Sequence, residues 1–318
     1  MLPAIRKNRQ FTRRIAMTAG MCTLVLMVNC GKKSDTAGGE KEGTTLQVKG
    51  SDTMVNVAQA WAEEFVKVSK DIEVEVSGGG SGVGIAALER GTIDIANASR
   101  DIKPQEAELA KKNTGKDVRE FIVGFDAMAV YIHKDNPLDE ITLEQLKEIF
   151  AEGGTITKWS QLGVKIPDSQ SDEIVRVSRQ SSSGTYEFFR EHVLKQIDFK
   201  LGSRDMNGSK EVVELVSSTK TAIGYSGMGY ATDEVKMLKI KTDKGSFAPT
   251  VENTVNKSYP LARSLNMYTL GEPEGAVKTY IDWILGSEGQ KIVQDNGYVP
   301  LKSVSGPGNA DDQTVSDS

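Results

Sequence analysis

The chain has 318 residues, 38% hydrophobic and 26% charged, more than one domain of ordinary size needs and enough for two. A net charge of −5 excludes a protein that works by neutralising a nucleic-acid backbone. It leaves capture of one small anion open, since backbone amides and hydroxyls bind anions without positive charge.

The first element is an address. Arg6, Lys7, Arg9, Arg13 and Arg14 precede an apolar run from Ile15 to Val28, then Asn29 and Cys30. A basic start followed by a short apolar run reads as a secretory signal over residues 1–30, too short for a comfortable membrane span. Cys30 stands where a bacterial lipoprotein is lipidated, which predicts a membrane-anchored protein of the periplasm or cell surface. Asn29 departs from the small residue usual before that cysteine, and cleavage without lipidation is the alternative. Residues 31–45, rich in Gly, Lys, Glu, Ser and Thr, read as a flexible tether, and residues 303–318 as a disordered tail.

Between these ends one local pattern recurs. Leu46–Lys49 alternates like a strand, Gly50-Ser51-Asp52-Thr53 turns the chain, and Val55–Val68 has helical spacing. Ile72–Val76 is the second strand; the run SGGGSGVG (Ser77–Gly84) is its turn, and Ile85–Arg90 its helix. The third unit is Ile174–Val177, the turn RQSSSGT (Arg179–Thr185) and a helix over Tyr186–Leu194. Each unit puts Ser or Thr where a helix begins. Unpaired N–H groups, the positive end of the helix dipole and hydroxyl donors together suit an anion. Arg179 adds a permanent, planar cation that fits two oxygens at once. Taken one at a time, the same residues also read as ordinary helix caps and turns, and spacing alone does not say whether they converge.

Other chemistries lack their parts. Cys22 and Cys30 are the only cysteines, so the body of the chain has no disulfide framework, thiolate zinc site or thiol nucleophile. His133 and His192 stand apart from any metal-ligand spacing and read as packing or surface residues, as Trp61 and Trp159 read as core. No P-loop, dinucleotide fingerprint or nucleophile elbow is present. The expectation is a protein that is not an enzyme and carries no metal or cofactor.

Seven segments in order carry a resemblance: GSDTM (Gly50–Met54), GGGSGVGIAAL (Gly78–Leu88), ITLEQLKEIF (Ile141–Phe150), RQSSSGTYEFF (Arg179–Phe189), AIGYSGMGYA (Ala222–Ala231), YPLARSLNMY (Tyr259–Tyr268) and SEGQKIVQDNGYVPL (Ser287–Leu301). On these the chain resembles the PstS family, the phosphate-binding proteins of Pst-type ABC transporters. The resemblance implies an α/β, two-lobed periplasmic-binding-protein fold of type II. Lobe 1 would be discontinuous (46–130 and 260–302) and lobe 2 would span 131–259. The hinge crossings fall near Phe125–Tyr131 and Tyr259–Met267. It further implies that Thr53 gives its hydroxyl to phosphate, Met54 its N–H, and Ser81 both, with Arg179 as clamp and Ser183, Gly184 and Thr185 as donors of the third unit. Ser99 occupies a position where some members have an Asp that accepts the ligand's proton, which leaves phosphate compatible and rejection of sulfate open. Ser181 stands where an Asp often steadies the clamping Arg, so Asp52 and Asp101 become candidates for that role. The implied partners are inorganic phosphate and the permease and ATPase subunits of an importer, with the chain itself a monomer. A carrier of another oxyanion (sulfate, molybdate or tungstate) or a phosphate-sensing surface protein is the alternative.

Overall fold

The computed structural model describes residues 43–301. The expected leader, Cys30, most of the tether and the tail lie outside these residues. In chain order the elements are β1 (Thr44–Gly50), α1 (Val55–Val68), β2 (Ile72–Ser77), α2 (Ser81–Glu89), β3 (Ile95–Ala98), α3 (Pro104–Thr114) and β4 (Val118–His133). Then follow β5 (Glu140–Thr142), α4 (Leu143–Phe150), β6 (Val175–Arg179), α5 (Gly184–His192), β7 (Arg204–Met206), α6 (Ser209–Ser218) and β8 (Ala222–Gly227). The last are β9 (Val235–Met237), β10 (Lys239–Thr242), β11 (Gly245–Phe247), α7 (Val251–Val255), β12 (Ala262–Leu270), α8 (Gly275–Leu285) and α9 (Ser287–Asp295).

The main sheet runs β2-β1-β3-β12-β4-β8-β6-β7, with β9 also on β4, and β11-β10-β5 form a small separate sheet. β1, β2 and β3 are parallel, as are β8, β6 and β7, while β12 and β4 are antiparallel to their neighbours. The sheet is divided between two lobes, and β4 serves both. Its residues up to Ala127 pair with β12, and from Met128 to Ile132 it pairs with β8.

Each lobe buries both faces of its strands, which explains the nearly continuous apolar text of β3 and β8. In the first, Trp61 and Phe65 of α1 pack with Tyr280 and Ile284 of α8 on one face, and Ile85 and Leu88 of α2 pack with Tyr268 on the other. In the second, Phe150, Trp159, Phe189 and Tyr225 form one core, and Val212, Val213 and Val216 of α6 the opposite one. Both expected core tryptophans are fully buried, with indole N–H groups on the Gly289 and Thr221 carbonyls. His192 stacks on Phe188, a packing role.

The local expectations shift in three places. β1 begins at Thr44, inside the expected tether, because Thr44 and Thr45 pair with Ile72 and Glu73. α2 begins at Ser81 and not Ile85. Gly79 and Gly80 take φ of 110° and 99°, which completes the turn early, and the glycines beyond it are helical. A Cβ at Gly84 would lie 2.4 Å from the Lys49 carbonyl, so the helix can rest on β1 only with glycine there. In the third unit β6 runs on to Arg179 and α5 starts at Gly184.

α3 starts on a carboxylate-centred junction. Arg100 donates from Nη1 and Nη2 to Glu106 at 2.8 and 2.7 Å, and the Lys103 N–H adds a third bond at 2.8 Å. Burial pushes the Glu106 carboxyl up, but the bonds from Arg100 and Lys103 outweigh it and hold the carboxyl below its ordinary range. A carboxyl lowered on folding adds stability above its unfolded value and loses it as pH falls through the folded value. Glu106→Gln is expected to cost about 1–2 kcal/mol at pH 7. The cost should vanish well below pH ~4. Urea melts of both proteins at pH 7 and pH 3 check this, and an undiminished gap at pH 3 contradicts it.

Candidate functional site

Ligands of open α/β sheets bind beyond the carboxyl ends of the strands, where the connections diverge. Here the carboxyl ends of β1, β2, β3 and β6 and the starts of α1, α2 and α5 all face the space between the lobes. Thr53, Ser81, Ser99, Arg179, Ser183, Gly184 and Thr185 are all buried there, and two of the three units come from one lobe and the third from the other.

The contacts close on one point. Thr53 Oγ1 lies 2.8 Å from Thr185 Oγ1 across the lobes. Ser51 donates its hydroxyl to Ser99 Oγ at 3.0 Å, and the Ser99 N–H donates to Ser81 Oγ at 3.1 Å. A Cβ on Gly184 would meet Ser81 Oγ at 2.3 Å and Ser99 Oγ at 2.8 Å, so the start of α5 sits directly on these hydroxyls. The lobes also bond through main chain: the Gly82 N–H donates to the Ser182 carbonyl at 2.9 Å, and Ser182 Oγ donates to the Gly79 carbonyl at 3.0 Å.

The two readings left open for these residues now separate. Ser183 caps α5, accepting from the N–H groups of Thr185 and Tyr186. Thr53 is no cap, since α1 has no side-chain cap and the Thr53 hydroxyl reaches the opposite lobe. The Met54 N–H donates to the Ser51 carbonyl in the turn before α1.

Arg179 is fully buried. Its Nη1 donates to Ser209 Oγ at 3.0 Å; its Nη2 donates to Asp52 Oδ2 at 3.2 Å and to the Asn207 carbonyl at 3.1 Å, and its Nε is without a partner. Asp52 is therefore the residue that steadies it, from the other lobe. Ser181 is exposed, and Asp101 lies beside Ser264 and Asn266 instead. Burial pushes the Asp52 carboxyl up against the pull of the Gly79 N–H and Arg179. Burial lowers the Arg179 value, opposed by Asp52, and a guanidinium has enough range to stay charged at neutral pH.

Two residues absent from the sequence reading complete the floor. Arg263 of β12 and Asp126 of β4 form a buried ion pair on the strands that cross between the lobes. The signal for them was available: Asp126 interrupts the apolar stretch Ile122–Ile132 of β4, Arg263 is the one charged residue of β12, and a buried charge needs a partner. Tyr298 and Tyr230 donate to the carbonyls of Thr53 and Asp52 and fix the first loop from behind.

Two lobes joined by crossing strands, with hydroxyls, helix starts and a buried guanidinium facing one another, define a solute-binding domain built to close on a small oxyanion. Residues 35–288 match the model of the PBP superfamily domain. A phosphate-binding protein PstS of Pseudomonas aeruginosa is 31% identical over 80% of this chain and 83% of its own, and that of Bacillus subtilis is 30% identical over 93% and 95%. Among solved structures, a substrate-binding protein of Clostridium perfringens, described as a phosphate ABC transporter's and solved with bound phosphate, is 32% identical. It matches with a TM-score of 0.72 over 81% of this chain and 100% of its own. An ABC-type phosphate transport receptor from Vibrio cholerae, 26% identical, matches with a TM-score of 0.64 over 80% and 99%. The chain belongs to the PstS family of phosphate-binding proteins.

Gly184→Ala tests the packing of the interface. At the start of a helix alanine costs no backbone strain, so each lobe should keep its fold. The added methyl has no room between Ser81 and Ser99, so the lobes should stand apart, seen as a larger radius of gyration in X-ray scattering. An unchanged radius would show that the start of α5 does not control the approach.

Proposed function

We propose that this chain captures inorganic phosphate between its lobes outside the cytoplasm and delivers it to the permease and ATPase subunits of an ABC importer. The observation that carries the reading is the meeting of Thr53, Ser81, Ser99 and Thr185 with Arg179, all buried, from both lobes, at the carboxyl ends of the strands. Phosphate would take the Thr53, Ser81, Ser99, Ser183 and Thr185 hydroxyls, the N–H groups of Ser81 and Gly184, and Arg179; the Met54 and Thr185 N–H groups would join them by leaving the Ser51 carbonyl and the Ser183 hydroxyl. An ion entering between Thr53 and Thr185 replaces their mutual bond by two bonds to itself, so neither lobe loses a partner and the closed form gains population. No step breaks a covalent bond; the chemistry is desolvation matched by donors. Lipidation of Cys30 would tether the chain beside the importer.

Titration calorimetry on protein stripped of bound ligand tests the reading. Phosphate at ~100 times its dissociation constant should add about 2.7 kcal/mol to stability. No binding and no shift in melting would sink the assignment. Arg179→Ala should weaken binding about 10- to 100-fold and Thr53→Ala about 3- to 10-fold, because a bond from a charged donor is worth more than a neutral one. Equal losses would contradict the clamp role.

One observation favours a broader oxyanion range. Ser99, which can donate as well as accept, stands on the site where a carboxylate would only accept. Phosphate carries a proton to offer such a carboxylate; sulfate does not. Ser99→Asp is expected to reduce sulfate binding at least ~10-fold more than phosphate binding. Competition titrations measure this, and parallel losses would place the discrimination elsewhere.

A further inference from the structure

We propose that Arg263 is a second charged contact for the bound oxyanion, rooted in the hinge and not in either lobe, and that it tunes the site toward the dianionic form of its ligand. This rests on the oxyanion-capture reading above and adds to it a residue and a selectivity.

The position is unusual. Arg263 and Asp126 are register partners on β12 and β4, the strands that pass between the lobes. Their side chains are 2% and 0% exposed. Nε and Nη2 of Arg263 both donate to Asp126 Oδ2, at 3.0 and 2.8 Å, while Oδ1 accepts the Met228 N–H at 3.0 Å. The rest of the guanidinium faces the site. Nη1 donates to the Ser99 carbonyl at 3.1 Å, and Nη2 reaches Thr185 Oγ1 at 3.0 Å and Thr53 Oγ1 at 3.4 Å. Arg263 thus touches three of the residues expected to hold the ligand, two from one lobe and one from the other. Phe188, on the same helix as Thr185, lies over it at 5.4 Å.

Two physical arguments turn this placement into a role. A buried ion pair is a poor way to hold strands together, since desolvating both charges offsets most of their attraction and an apolar pair would serve as well. Burial pushes the Asp126 carboxyl up even beside Arg263, the mark of a costly placement. A cation retained at that cost, beside hydroxyls that converge from both lobes, has a use if an anion arrives. Second, a hydroxyl that accepts from Arg263 must turn its own proton elsewhere. Thr53 and Thr185 share one proton between them in the structure; once an ion parts them, both hydroxyls, each facing Arg263 Nη2, are left with a proton to donate to it, so Arg263 orients the neutral donors as well as supplying charge.

The result is a site rich in donors and poor in free acceptors. Asp52 and Asp126 already accept from Gly79, Arg179, Met228 and Arg263. Two guanidinium groups with no uncommitted carboxylate favour dianionic over monoanionic phosphate. Affinity should therefore rise as pH passes through the second ionisation of inorganic phosphate, and Arg263 should be responsible for much of that rise.

The test is calorimetric titration of the stripped full chain with inorganic phosphate at pH 6 and pH 8. It compares wild type, Arg263→Lys and the double variant Asp126→Asn/Arg263→Gln, which removes both charges and leaves no buried ion unpaired. The double variant is expected to bind about 10- to 100-fold more weakly at pH 8. Its gain in affinity between the two pH values should be much smaller than that of wild type. Arg263→Lys keeps the charge but not the fork, so it should bind with intermediate affinity and retain the gain. A folded double variant with wild-type affinity and pH profile overturns the proposal. Should the double variant not fold, wild-type behaviour of Arg263→Lys at both pH values overturns it equally, because a lysine cannot reproduce contacts to Asp126, Ser99 and Thr185 together. Wild-type protein that fails to bind phosphate at either pH would instead refute the capture reading itself.

Discussion

A hydroxyl or N–H withdrawn from water must find a partner, and the space between these lobes gathers a cluster of such groups. Thr53, Ser81, Ser99 and Thr185 are satisfied only because the opposing lobe, or a neighbouring strand end, supplies what each lacks. Most of the architecture serves to bring them there. Parallel strands deliver their carboxyl ends to one side, glycines let α2 and α5 approach within contact distance, and β4 runs through both lobes so that their relative position is set by one continuous strand. Each of these features is ordinary. Their convergence gathers buried donors from both lobes at one place.

The strand–turn–helix units were legible because period-two and helical spacings sit on either side of turns rich in Gly and Ser, and all three units form. Their edges moved for a local reason: Gly82 and Gly84 read as turn residues but are helical, since close packing on β1 overrides propensity. Long-range pairing was harder to read. Asp52 stands 127 positions from Arg179, and Asp126 stands 137 from Arg263, so neither pair leaves a spacing signature. Candidates for the Arg179 partner could be narrowed to Asp52 and Asp101 only through family resemblance; the choice between them needed the loop geometry. Asp126, inside the apolar stretch Ile122–Ile132, and Arg263, the one charge of β12, could have been flagged, although which charge meets which depends on the antiparallel register of β4 and β12.

Two arginine–carboxylate pairs flank the site, and they differ in kind. Asp52–Arg179 links loops of opposite lobes, so it exists only when the lobes are together and contributes to the closed state directly. Asp126–Arg263 joins adjacent strands and persists whatever the lobes do. The first pair thus depends on the approach of the lobes, while the second belongs to the paired strands β4 and β12.

The bonds that Ser182 makes to Gly79 and Gly82 have a consequence for evolution. They join the lobes through peptide groups, with one small hydroxyl as the sole side-chain participant. This part of the join between the two halves is consequently indifferent to which side chains line the cleft. Exchange of one cleft hydroxyl for another leaves these peptide-group bonds in place.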